Sequence, residues 1–223
     1  MEDVVRTGAV EAGDGRDDAR LVREALRLND RYVREVVLAF GLCPWADGVL
    51  RAGGLARRVL SERSPTPAAC LPIIDAWSGG AGIDIGFIIF PLRAGSSGSF
   101  DSFAEAVRRA DRARRPREQP SPFVIAAFHP EGAQRFDGPH QLVSFVRRTP
   151  DPLLQLVRAD LLDRVKTAAP GVSEQIGERN FATLRDPAAT ARFDAVVRDI
   201  RADRDRAYAA LGALPPAVVS PGG

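Results

Sequence analysis

The chain has 223 residues, 45% of them hydrophobic and 27% charged, with a net charge of +2. That composition fits one globular domain with a sizeable core and excludes fibrous and low-complexity chains. No apolar run approaches the ~18 residues of a membrane span, and the acidic start Met1-Glu2-Asp3 is no secretory signal, so the expected compartment is the cytoplasm, with no membrane partner.

Residues 1–16 are rich in Gly, Asp and Glu without periodicity, and read as a disordered tail. Over residues 17–40, Leu21, Ala25, Leu28, Tyr32, Val36 and Phe40 step by three or four, the spacing of a helical stripe. Val22, Leu26, Val33 and Val37 widen it into a core-facing surface. Gly41 is placed to stop the helix, with Pro44 soon after. Residues 57–61 read as a short strand. Residues 67–77 read as a helix weakened by Pro72, with Cys70 as a small core residue. Residues 83–90 are almost continuously apolar, which predicts a strand buried on both faces.

A Gly/Ser loop at 95–99 leads into a helix over 100–115, with Phe103, Ala106, Val107 and Ala110 on one side. After the proline-punctuated stretch 116–122, a second buried strand is expected at 123–128. Residues 141–147 read as a short helix. Asp151 followed by Pro152 resembles an N-cap and N1 pair opening a helix to about Lys166. A long helix covers 188–211, and 213–223 reads as a flexible tail. The alternation predicts an α/β fold with a small, mainly parallel sheet of three to four strands, flanked by helices and followed by a helical C-terminal half. Residues 17–212 are expected to form one domain.

Lys166 is the only lysine, so arginine carries nearly all the positive charge. The basic cluster Arg108, Arg109, Arg112, Arg114, Arg115 and Arg117 is interleaved with acids and sits at a helix end, where cations suit the dipole. No nucleic-acid partner is expected from it. Gly79-Gly80-Ala81-Gly82 precedes a strand instead of following one, so it is not a dinucleotide fingerprint.

Cys43, in Gly41-Leu42-Cys43-Pro44-Trp45-Ala46, is displayed at the helix stop. A thiolate is a nucleophile and a soft metal ligand, but a helix C-terminus does not favour one. Activation there calls for His129, an arginine or a metal. The plain alternative is a cysteine packed beside Leu42 and Trp45. His129 follows an apolar strand at the sheet edge where open α/β folds bind ligands. It could serve as a general base for Cys43 or satisfy a loop carbonyl. His140, Asp137 and Glu131 lie nearby without metal-ligand spacing. Arg147 and Arg148 precede a predicted helix that contains Arg158, a pattern that can fix an anion.

Three runs together resemble the bacterial proteins grouped as domain of unknown function 1415 (DUF1415). Gly41 to Ala46 is similar to that family's Asn-Leu-Cys-Pro-Phe-Ala. Ala126-Ala127-Phe128-His129-Pro130 with Phe136-Asp137-Gly138 is similar to its Ala-Ser-Phe-His-Pro and Phe-x-Gly. Arg147 to Pro152 and Gln155 to Ala159 take the places of its Asn-Arg-Ser-Pro-Tyr-Pro and His-Leu-Leu-Arg-Glu. The resemblance spans about residues 20–185 and carries over Cys43, His129, Arg148 and Arg158. It departs at Asp151, Gln155 and Ala159, where the family has tyrosine, histidine and glutamate.

These readings converge on one expectation. Cys43 and His129 form a shared site for thiol-dependent group transfer or hydrolysis of a small anionic molecule, with Trp45, Arg148, Gln155 and Arg158 contacting it. Two alternatives stand beside it. One is a metal- or haem-binding protein using Cys43 and His129 as ligands. The other is a non-catalytic binding module. The sequence does not identify a cofactor.

Overall fold

The computed structural model describes residues 15–80, 82–168 and 171–213. The tails expected at 1–16 and 213–223 lie outside these, apart from Gly15, Arg16 and Ala213.

Helix α1 (Gly15–Arg31) runs directly into a π-helix (Tyr32–Leu38), and Gly41 ends the run at φ 61°. The widened turn appears in the bonds from Ala39 N to Arg34 O and from Leu42 N to Val37 O, at 3.2 and 2.9 Å. Then follow α2 (Ala46–Arg51), β1 (Leu55–Val59), a 3₁₀ turn (Pro67–Cys70), α3 (Leu71–Gly79) and β2 (Ile85–Ile89). The second half contains α4 (Ser97–Ala113), β3 (Phe123–Phe128), α5 (Pro139–Val146), β4 (Leu153–Arg158), α6 (Ala159–Ala168), α7 (Val172–Leu184) and α8 (Pro187–Ala210). Among the described residues no helix is long and apolar enough to cross a membrane.

The fold is α/β, but the four-stranded sheet is mixed, correcting the expected mainly parallel arrangement. Its order is β1-β2-β4-β3, with β1 and β2 parallel and β4 antiparallel to both neighbours. The difference comes from Leu153-Leu154-Gln155-Leu156-Val157, which the Asp-Pro pair made look like a helix start. Apolar on both sides, this run serves as an interior strand, and the helix begins only at Ala159. Asp151 is therefore not an N-cap. It is 1% exposed and accepts hydrogen bonds from Arg204 Nε at 2.6 Å and Tyr208 Oη at 2.7 Å.

Strand alternation sends the apolar side chains to two layers. On one face, Ile88, Ile125, Leu154 and Leu156 pack with Ile74 and Trp77 of α3 and Phe100, Phe103 and Val107 of α4. Contact here is so close that a Cβ on Gly86 would stand 2.3 Å from the Trp77 ring. On the other face, Ile85, Phe87, Ile89 and Leu153 meet Ala25, Val33 and Val49. Helix α1 and the π-helix turn a second stripe, Leu21, Leu28, Tyr32, Val36 and Phe40, away from the sheet. That stripe packs on α5, α7 and α8 through Phe145, Leu184, Phe193 and Ile200. Arg27 and Arg31 both reach Asp203 of α8, at 2.8 and 2.7 Å, and lock the two helices together.

Candidate functional site

β1, β2 and β3 all end at the edge where β4 begins, since Ile89 and Phe128 both pair with Leu153. At this edge the alternation along β3 separates two residues that are adjacent in sequence. Phe128 turns toward the π-helix face, whereas Ala127 packs on the α4 side. His129 follows Ala127, and its ring lies 5.8 Å from that of Phe100 in α4.

Cys43 lines a cavity of about 50 Å³ on the π-helix face. Tyr32, Val33 and Val37 of the π-helix form one wall, Val49 and Leu50 of α2 another, and Phe87, Phe128, Leu153 and Gln155 the sheet wall. The lining is apolar except for the Cys43 thiol, the Gln155 amide and Tyr32, whose hydroxyl donates to Val146 O at 2.5 Å. Gln155 faces it because it sits on β4 between Phe87 and Ala126. Trp45 is half-buried at the start of α2 and is not in the lining.

His129 lines a different cavity, of about 260 Å³, on the α4 side. The structure thus brings Cys43 and Gln155 together but places Cys43 and His129 on opposite sides of the sheet. Ser97 and Asp101 of α4, His140 and Ser144 of α5, and Arg147 complete the second cavity's polar lining.

Local bonding sets the state of His129. The Glu131 N–H donates to Nδ1 at 3.1 Å, so the neutral ring carries its proton on Nε2. Burial holds its pKa below the usual 6.5, outweighing the upward pull of Glu131, Asp101 and the Gly95 backbone. At neutral pH it is therefore an uncharged hydrogen-bond donor.

The neighbouring arginines divide sharply. Arg148 is 5% exposed and spends its guanidinium on Phe145 O, Gln134 Oε1 and Asp194 Oδ1, at 2.9, 3.2 and 2.6 Å. Arg158 is tied to Ile83, Ser78 and Gly80 carbonyls. Both expected anion ligands are thus committed to protein groups, and neither lines a cavity described above. Arg147 forms no side-chain hydrogen bond and no ion pair within 4.0 Å among the described residues. Its guanidinium stacks 5.0 Å over Phe128 and its carbonyl accepts the His129 N–H at 3.1 Å. Burial lowers its pKa, though an arginine so placed stays charged.

Of this lining, Asp101 and Ser97 carry no sequence signal of their own, and Arg147 is marked only as half of the Arg147-Arg148 pair. Which arginine of that pair faces inward depends on packing. Among the described residues no group of three or more His, Cys, Asp or Glu forms a metal cage. A family model described as "Protein of unknown function (DUF1415)" matches residues 24–192. No curated protein and no solved structure matches the chain.

Proposed function

Starting from its membership of the DUF1415 family of unknown function, we propose that this chain binds a small anionic molecule in the polar cavity at the end of β3. Arg147 supplies the counter-charge, and His129, with Ser97 and Ser144, supplies neutral hydrogen bonds. The observation that carries this reading is Arg147 itself. Unlike Arg148, which is bonded to Asp194, it faces a cavity with its charge unmatched by any contact within 4.0 Å among the described residues. The cavity also lies where strand ends and a helix start meet, the usual ligand edge of α/β sheets. The free thiols Cys43 and Cys70 support a cytoplasmic setting.

Titrating the full chain with inorganic phosphate and with acetate, followed by calorimetry, tests the site. Saturable binding that weakens at least tenfold in Arg147→Gln is expected. If neither anion saturates the wild-type chain, the proposal fails.

A second reading rests on the other cavity. Cys43 and Gln155 share its lining, and by the resemblance drawn above Gln155 takes the place of a histidine in the family motif. If thiol chemistry belongs to this fold, its base belongs at 155 rather than at His129. The Gln155→His variant is then expected to accelerate alkylation of Cys43 by iodoacetamide between pH 6 and 8. An unchanged rate in this variant would remove the reading.

A further inference from the structure

The polar cavity carries charges of both signs, and this narrows what it can hold. Asp101, in the first turns of α4, and Arg147, beyond α5, line the same space. The Asp101 carboxylate is near enough for its charge to act on both Arg147 and His129. Yet neither Asp101 nor Arg147 forms an ion pair within 4.0 Å with the other or with any other described residue. Other part-buried charges close such gaps, Arg148 with Asp194 and Arg204 with Asp151, both at 2.6 Å. At this cavity two opposite charges face a common space and stay apart.

A simple anion satisfies only half of that arrangement. It gains attraction from Arg147 but meets repulsion from Asp101 in a partly desolvated space, where opposed charges count for more than in water. A molecule with an anionic group at one end and an ammonium at the other satisfies both. The volume of about 260 Å³ exceeds the ~150 Å³ that accommodates benzene, so a small amino acid fits.

We propose, building on the anion-binding reading above, that the cavity is specific for a small zwitterion of amino-acid type, its carboxylate at Arg147 and its ammonium at Asp101. Asp101 is exposed on α4, so its substitution leaves the core untouched.

The test uses the full chain and six probes in calorimetric titrations. Glycine, β-alanine and leucine are the zwitterions, and acetate, methylammonium and inorganic phosphate are the single-charge comparisons. At least one zwitterion is expected to bind tenfold or more tightly than acetate and methylammonium. Asp101→Asn should abolish that preference while leaving acetate binding equal or stronger, and Arg147→Gln should weaken zwitterion and acetate alike. Thermal melting of each variant establishes that it is folded. Two results overturn the inference while leaving the anion site standing. One is acetate or phosphate binding as tightly as every zwitterion, and the other is a zwitterion preference that survives Asp101→Asn. Absence of binding by all six probes overturns both.

Discussion

The two sides of the sheet are finished differently. Facing α3 and α4, packing is tight enough that Gly86 has no room for a methyl group beneath Trp77. At the rim of this side His129, Arg147 and Asp101 line the larger cavity. Facing the π-helix, packing leaves a small apolar cavity beside Cys43. Asn29 shares the Ala25–Val33 stripe of that side, and neither of its side-chain polar atoms has a partner. The charged lining and the thiol thus belong to different cavities. A single step past the end of β3, from Phe128 to His129, crosses between them.

The largest expected effect tests what joins the sheet to α8. Asp151→Ala leaves the Arg204 guanidinium and Tyr208 hydroxyl without their shared carboxylate, and should cost about 3–5 kcal/mol in urea unfolding. A loss below 1 kcal/mol would mean that the network contributes little to holding α8.

Substitutions on the two faces should then differ in sign. Gly86→Ala pushes a methyl into the Trp77 ring and is expected to destabilise by about 1–3 kcal/mol. Asn29→Leu replaces an unpaired buried amide by an apolar group of similar size, and should stabilise by about 1 kcal/mol. Equal signs in the two melting curves would erase the contrast.

A kinetic measurement bears on the separation of the two cavities. The rate of Cys43 alkylation should be the same in His129→Ala as in the wild type, within twofold, since the two residues line different spaces. A tenfold change would place them in one site.

The smallest effect is on pH dependence. Burial depresses the folded pKa of His129 below 6.5, so between these two values the unfolded chain binds more protons than the folded one. Its contribution to stability is thus present above pH 6.5 and is lost as pH falls toward the depressed folded value. The wild-type stability curve should drop below pH 6.5 more steeply than that of His129→Gln. Parallel curves would show that the ring is not held neutral by burial.

Much of the fold was legible in local patterns. The 17–40 stripe, the apolar strands at 83–90 and 123–128, and the stop at Gly41 depend on periodicity and on one positive φ, which neighbouring residues dictate. Residues 153–158 differ from their expected helix because a short apolar run after Asp-Pro fits a helix start and a buried strand equally well. Pairing with β2 and β3 decides between them.

By itself the sequence determined the α/β alternation, the family and the presence of Cys43, His129 and the arginine pair in motifs bordering the sheet. Only the tertiary structure decided which side each one faces. It turned Arg148 inward to Asp194 and left Arg147 at the cavity, and it placed Gln155 with Cys43 and His129 with Asp101. The reason is physical: strand register and the direction of β4 are set by contacts between distant segments, and a shift of one residue moves a side chain to the opposite face.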